Sequence, residues 1–298
     1  MNKLYVVSDI HSFFTPFKKA LDDAGFNPED KTHWLIVLGD AFDRGPESIE
    51  VFKYLMTLER KVLVKGNHDT LLEDLCMREY PYYHDTSNGT VQTVLDLGGA
   101  FTGRPFDACC SVVWNKMARY RELLVNYFET ENYIFVHSWI PMNVTYDKTA
   151  SKPWHQKGKT YSYKEDWRNA NDVEWEEAMW GNPFYHAQDG LNQTGKTIVF
   201  GHWHCSLGHA IDNKFKIGEF EPNSIWEPYY NKEQGIIGID RCTAHTGEVN
   251  VLVLEDEFLN NHKSDCSKEC MCKDCNENKT LIENGKCTGC YECSNLKN

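Results

Sequence analysis

The chain has 298 residues, with 31 Lys and Arg against 44 Asp and Glu for a formal charge of −13, and 41% hydrophobic and 13% aromatic side chains. Such a chain is globular and long enough for one large core or two domains, while its carboxylate surplus argues against wrapping a nucleic-acid backbone or docking on anionic lipid. No apolar stretch has the length of a signal peptide or a membrane span, so a cytoplasmic protein without membrane or nucleic-acid partners is expected.

Short β-branched or aromatic runs recur along the first 200 residues: Leu4 to Val7, Trp34 to Leu38, Val62 to Val64, Tyr133 to Val136 and Thr197 to Phe200. Each reads as a buried strand. Helical spacing fills the gaps between the first three, through Phe13, Phe17, Ala20, Leu21 and Ala24, then through Ile49, Phe52 and Leu55 after Pro46. The pattern is βαβα. Two further strands are expected at Ile236 to Ile239 and Val249 to Leu254, joined by a turn from Cys242 to Glu248 and able to face a second sheet. The stretch from Trp139 to Gly195 has no comparable run and carries five of the nine Trp; it reads as a helical cap on the sheet or as a wall of a substrate cleft.

Each early strand is followed by ligand-capable side chains: Asp9 and His11, Asp40, Asn67 and His68, His137, and finally His202 and His204. At the carboxyl ends of strands in an α/β sheet such residues converge. Asp, Asn and neutral His form a mixed oxygen and nitrogen set that suits Mn, Fe or Zn better than an all-oxygen Ca site, and Asp40 is placed to bridge two ions. Singly, these residues read as helix caps or satisfied polar groups; together they describe a metal site.

In order, Ser8-Asp9-Ile10-His11, Gly39-Asp40-Ala41-Phe42-Asp43-Arg44-Gly45, Gly66-Asn67-His68-Asp69, Val136-His137 and Gly201-His202 resemble the signature of the calcineurin-like metallophosphoesterases. The Gly-Asp-x-x-Asp-Arg-Gly form is similar to the phosphoprotein phosphatase branch, with its bacterial and bacteriophage serine/threonine phosphatases and symmetrical diadenosine tetraphosphatases. Over residues 1 to 210 the resemblance implies an α/β fold, a four-layer α-β-β-α sandwich with a dinuclear centre at one edge of its sheets. It further implies that Asp9 and His11 bind one ion, that Asp40 bridges, and that Asn67, His137 and His202 bind the other. His68 would be the general acid for the leaving oxygen, Asp43 its hydrogen-bond partner, and Arg44 the holder of phosphoryl oxygens. Two ions in such a centre activate a bridging hydroxide and stabilise an in-line displacement.

Some positions depart from the family pattern. Lys65 stands where Arg is frequent, Asp69 where Glu is frequent, and Ser138 where Gly is usual. Trp180-Gly181-Asn182-Pro183 resembles a landmark of protein phosphatases, yet no Arg lies between it and Gly201 to serve as a second phosphate holder. His204 completes a Gly-His-x-His ending found in the wider superfamily, where the second His binds the first ion; it is expected as a ligand, with a supporting or rim histidine as the competing reading. His33, His84, His155, His186, His209, His245 and His262 are expected in surface or cap positions, and Cys109-Cys110 in core packing.

Seven of the twelve cysteines fall between Cys266 and Cys293. Cys272-x2-Cys275, eleven residues, and Cys287-x2-Cys290 approach the four-cysteine spacing of a zinc ribbon. A structural zinc would have to supply the folding energy of so short a segment. Cys266, Cys270 and Cys293 leave room for a second site, an iron–sulfur set or a redox-active tail. The expected organisation is therefore a catalytic domain over 1–255, a linker over 256–265 and a cysteine-rich tail over 266–298 that recruits an unidentified partner.

The function expected is hydrolysis of phosphomonoesters of phosphorylated proteins or small molecules, assisted by two divalent ions. The alternatives are a hydrolase of diadenosine tetraphosphate or another small nucleotide phosphate, and a non-enzymatic scaffold that acts through the tail.

Overall fold

The five early apolar runs each lie in a β-strand of the computed structural model, which describes residues 2–146 and 158–258 together with two short strands at 282–283 and 286–287. The strands are β1 (Asn2–Val7), β2 (His33–Leu38), β3 (Lys61–Val64), β4 (Leu124–Val125), β5 (Tyr127–Glu129), β6 (Tyr133–Val136), β7 (Met142–Tyr146), β8 (Lys159–Tyr163), β9 (Thr197–His204), β10 (Tyr229–Asn231), β11 (Ile236–Asp240) and β12 (Leu252–Asp256). The helices are α1 (Phe14–Asp23), α2 (Ser48–Thr57), α3 (Asn67–Arg78), α4 (Tyr83–Ser87), α5 (Thr90–Gly98), α6 (Phe106–Lys116), α7 (Ala118–Leu123), α8 (Asp172–Met179), α9 (Pro183–Gln188), α10 (Cys205–Asp212) and α11 (Thr243–Thr246).

Ten strands form two five-stranded sheets, ordered β12-β1-β2-β3-β4 and β10-β11-β9-β6-β5. In the first, β1 to β4 run parallel and β12 pairs antiparallel with β1. In the second, β11, β9 and β6 run parallel between two antiparallel edge strands. The chain changes sheets across the single residue Asn126 between β4 and β5.

Alternation along each strand explains the layers, because successive side chains take opposite faces. Tyr5, Val7, Leu35, Val37 and Leu63 pack with Phe17 and Leu21 of α1, Val51 and Leu55 of α2, and buried residues of α3, α5 and α6. Ile134, Val136, Ile198, Phe200 and Ile236 pack against α8, α9 and α10. The intervening residues, Leu4, Val6, Ile36, Leu38 and Val64 on one sheet and Phe135, Val199 and Ile237 on the other, are equally buried and fill the space between the sheets. This is the four-layer α-β-β-α sandwich. Burying a large aliphatic side chain in such a core contributes about 1.5–3 kcal/mol.

Two features differ from the sequence reading. The Trp139 to Gly195 stretch contains a hairpin, β7 with β8, paired from Met142↔Tyr163 to Tyr146↔Lys159. Its residues alternate apolar and polar instead of running apolar throughout, the pattern of a half-exposed strand. The last two strands also separate: β11 joins the second sheet and β12 the first, the connection between them containing α11.

The chain divides into two compact units, Met1–Asp256 and Glu257–Asn298. In the second, β13 (Ile282–Glu283) and β14 (Lys286–Cys287) pair antiparallel. Cys272, Cys275 and Cys290 lie outside the described residues, as do Cys266, Cys270, Cys293, His155, His262 and most of the linker. No helix among the described residues is long and apolar enough to cross a membrane.

Candidate metal centre

The strand ends meet at one edge of the sandwich. The loops that carry the first-sheet residues turn abruptly: Asp9, His11, Ser12, Asp40, Asp43 and Arg44 all have φ between 48 and 74°. Left-handed backbone is uncommon for residues with a Cβ, and clusters of it mark sites whose geometry is fixed by their surroundings. His11 N–H donates to Asp40 O at 3.0 Å and Ser12 N–H to Ala41 O at 2.9 Å, so the first two loops brace each other.

Asp40 lies at the centre. Its Oδ2 is 3.9 Å from His11 Nε2 and 3.9 Å from His68 Nε2, while its Oδ1 is 3.5 Å from His137 Nε2. Two groups of potential ligands therefore share it: His11, Asp40 and His68, and Asp40, His137 and His202. Asp9 Oδ1 joins the first side, 3.9 Å from His11 Nε2. Asn67 joins the second, its Oδ1 2.8 Å from His137 Nε2. The third loop comes close because Gly66 has no side chain: a Cβ there would collide with Asp40 Oδ1 and the Asp40 backbone.

The donor set fits divalent cations. His11 Nδ1 donates to Phe42 O at 2.9 Å and His137 Nδ1 to Leu38 O at 2.7 Å, since a carbonyl can only accept. In the neutral rings both Nε2 atoms then present lone pairs inward. His137 Nε2 faces Asn67 Oδ1 at 2.8 Å and His202 Nδ1 at 3.2 Å, a convergence of acceptors that a cation relieves. A backbone carbonyl on the far nitrogen is also how ligating histidines are oriented.

Charge supports the same reading. Burial holds Asp9 well above the usual carboxylate range, and the negative charges of Asp240 and Asp40 push in the same direction. Burial also acts to raise Asp40, but the surrounding His137, His68, His11 and His202 bring it below its ordinary value. His11 and His202 are held well below theirs, by burial first and then by Arg44 and His137 respectively. Neutral His11 and His202 beside an ionised Asp40 are in the state in which such side chains bind metal, and the buried Asp9 would join them by exchanging its proton for a cation.

His68 is held differently. Its Nδ1 donates to Asp43 Oδ2 at 2.7 Å, and Arg44 Nη2 lies 3.3 Å from its Nε2. Burial disfavours the charged ring, yet Asp40 and Asp43 outweigh it and raise His68 above its usual value, against Arg44. Asp43 is fully buried, whereas Arg44 is exposed.

The departures have local reasons. Asp69 Oδ2 accepts from Gly66 N–H at 2.8 Å to cap α3, and Tyr120 Oη reaches its other oxygen at 3.1 Å. Lys65 pairs with Glu73 at 2.8 Å. Ser138 Oγ donates to Gly181 O at 2.6 Å and pins the Trp180-Gly181 turn, where Trp180 meets the His202 ring edge to face at 5.9 Å.

His204 belongs to neither ligand group. Its Nδ1 is 3.1 Å from Glu219 Oε1 and its Nε2 is 3.9 Å from Asp240 Oδ2. Burial alone would lower its pKa, but hydrogen bonds to Cys242 and Glu219 and the charge of Asp240 raise it to about 11. Among the other histidines, His186 is buried inside the cap, and Cys109 and Cys110 are buried free thiols. Asp240, a buried carboxylate at the end of β11, is absent from the residues singled out in the sequence, although it too follows an apolar run, Ile236 to Ile239, as the other strand-end side chains do.

Known proteins resemble this arrangement to different extents. Over 66 residues the chain is 46% identical to a symmetrical bis(5'-nucleosyl)-tetraphosphatase of Buchnera aphidicola subsp. Acyrthosiphon pisum, a match covering 22% of this chain and 23% of that protein. A protein of the same name from Pseudomonas syringae pv. syringae is 42% identical over 67 residues, 22% of each chain. The matches thus span less than a quarter of these curated relatives. The cold-active protein-tyrosine phosphatase of a Shewanella species shares the fold, with a TM-score of 0.52 and 13% identity over 86% of this chain and 76% of that one. The calcineurin-like phosphoesterase family model matches residues 3–206, more than half of the sequence. The chain belongs to the calcineurin-like phosphoesterase family.

Proposed function

We propose that this protein is a phosphoesterase whose two ligand groups each hold a divalent transition-metal ion, with Asp40 common to both. The observation that carries the reading is that Asp40 is shared by two convergent groups while the His68–Asp43 pair stands beside it. Asp9, His11 and Asp40 would hold one ion; Asp40, Asn67, His137 and His202 the other. When bound, such ions lower the pKa of water and neutralise charge on a phosphoryl group.

The protein's own residues supply the rest. Arg44, exposed at the rim, offers planar two-pronged donation to phosphoryl oxygens. His68, held through Nδ1 by Asp43, would hand a proton from Nε2 to the departing oxygen. The two segments opened by Gly39 and Gly66 keep these groups in place before substrate arrives, which is where orientation contributes to rate.

The test is hydrolysis of p-nitrophenyl phosphate by the full chain. Activity lost on chelation and restored by Mn²⁺ supports the reading; a folded protein that stays inactive with Mn²⁺, Fe²⁺ and Zn²⁺ refutes it and favours the scaffold alternative.

For the natural substrate, phosphomonoesters are the first reading. Two observations favour a second, dinucleoside polyphosphates: the curated relatives carry that name, and the half-exposed Trp180 sets a ring beside His202, where a base can stack. Product analysis with phosphopeptides and with diadenosine tetraphosphate separates them.

A further inference from the structure

Asp43 has more partners than its pairing with His68 requires. Its Oδ2 accepts from His68 Nδ1 at 2.7 Å and from Thr90 Oγ1 at 2.7 Å, and its Oδ1 accepts from Thr93 Oγ1 at 2.8 Å. The Asp43 N–H in turn donates to Thr93 Oγ1 at 3.1 Å. Thr93 thus grips both the backbone and the carboxylate of one residue. Its hydroxyl has a single proton, and the alternative acceptor, Gly89 O, is farther away at 3.4 Å, so the proton goes to Asp43.

These threonines do not serve their own helix. They stand one turn apart on α5, both buried, and the helix begins at Gly89 with no side-chain cap. Gly89 has φ 85° and lies against the Arg44 backbone, where a Cβ would collide with Arg44 N. The start of α5 is therefore fitted to the Asp43-Arg44 segment, whose two residues have φ of 74° and 63°. A fully buried carboxylate needs hydrogen bonds, and here three side-chain donors, from two different helices, fix which oxygen faces His68.

We infer that Thr90 and Thr93 are positioning residues of the site: they lock the Asp43 carboxylate so that it holds His68 Nδ1–H and directs Nε2 toward the departing group. The inference rests on the acid role given to His68 above. Both hydroxyls are directed at Asp43, which belongs to neither ligand group, and with His68 serving as acid and Asp9, His11 and Asp40 as the ion's holders their loss should spare metal binding. Their effect should fall on proton donation, which matters for poor leaving groups and hardly for good ones.

The experiment uses the full chain loaded with Mn²⁺ and compares p-nitrophenyl phosphate with an alkyl ester such as phosphoserine. Thr93→Val should lose about 10–100-fold in kcat/KM on the alkyl ester, the range seen for partners of site residues, and much less on the aryl ester; Thr93→Ser should restore both. Thr90→Val and Thr90→Ser repeat the comparison should Thr93→Val not fold. In parallel, the ¹⁵N-labelled imidazole of His68 is followed in the metal-free protein, where its strongly hydrogen-bonded Nδ1 proton should weaken in each valine variant. Equal losses on both substrates, or an unchanged His68 signal, overturn the inference. His68→Asn separates the two levels: if it too shows no preference between esters, the acid role falls, while the His68 signal still reports whether the threonines hold Asp43.

Discussion

The two sheets meet at the centre with different backbones. On the first, six non-glycine residues from Asp9 to Arg44 take left-handed φ values and the loops bond to one another. On the second, His137 follows β6 directly and His202 lies within β9 itself, with positive φ at His202 alone among its site histidines. The first half is built as interlocked turns and the second as strand ends. Damage should therefore appear differently in each: in the turns, small steric changes displace several candidate ligands together, whereas on the strands single side chains can be removed one at a time.

The sharpest break is at the residue the halves share. Asp40→Asn removes the negative charge that both groups share and turns one of its two oxygens into an amide nitrogen, and stabilisation of a few kcal/mol from the metal charge is then at stake, so kcat should fall by about 10³-fold or more on every substrate. Metal analysis of the purified variant should show fewer ions per chain than wild type. Near wild-type turnover with added Mn²⁺ would mean that Asp40 does not link the halves.

Within the first half, His68→Asn tests selectivity instead of total loss. A positioned acid contributes about 10²–10⁴-fold, and the deficit should be confined to alkyl phosphates. Uniform loss on p-nitrophenyl phosphate as well would make His68 a ligand, as its place in the His11 and Asp40 group also permits.

Gly66→Ala tests the interlocking. A methyl there meets both the Asp40 carboxylate and its backbone, so metal affinity should weaken by about 10–100-fold, as it does when a ligand's orientation is disturbed. Titration of metal-free protein with Mn²⁺ measures it. If the affinity is unchanged, the turns have more give than their contacts imply.

The same contrast explains what could be read beforehand. The first-half candidate residues sit in short contiguous motifs, because a tight turn needs its glycine and its polar residues next to one another, and so Asp9, His11, Asp40, Asn67 and His68 are legible as words in the sequence. The hydrogen bonds that orient them are not. Phe42 O and Leu38 O are backbone atoms with no sequence signature, and Thr90 and Thr93 reach Asp43 from 47 and 50 residues away. The hairpin β7–β8 has no continuous apolar run, because Met142-Asn-Val-Thr-Tyr146 alternates as a strand with one wet face does.

The smallest effect is expected at His204, which on the sequence reads as a ligand and in the fold is turned to Glu219 and Asp240. His202→Gln should lose most of the activity, whereas His204→Gln should change kcat by less than about threefold, since only the former removes a group facing Asp40 and His137. Stability should show the reverse order of interest. The folded-state pKa of His204 is raised to about 11 against about 6.5 for an unfolded histidine, so the folded protein holds a proton that the unfolded chain gives up. By linkage this contribution is fully present below about pH 6.5 and declines steadily as pH rises toward 11. Thermal melts of wild type between pH 6 and 9.5 should therefore fall more steeply than those of His204→Gln. Parallel slopes would mean that His204 is not charged in the folded state, and a loss of activity matching that of His202→Gln would return it to the metal.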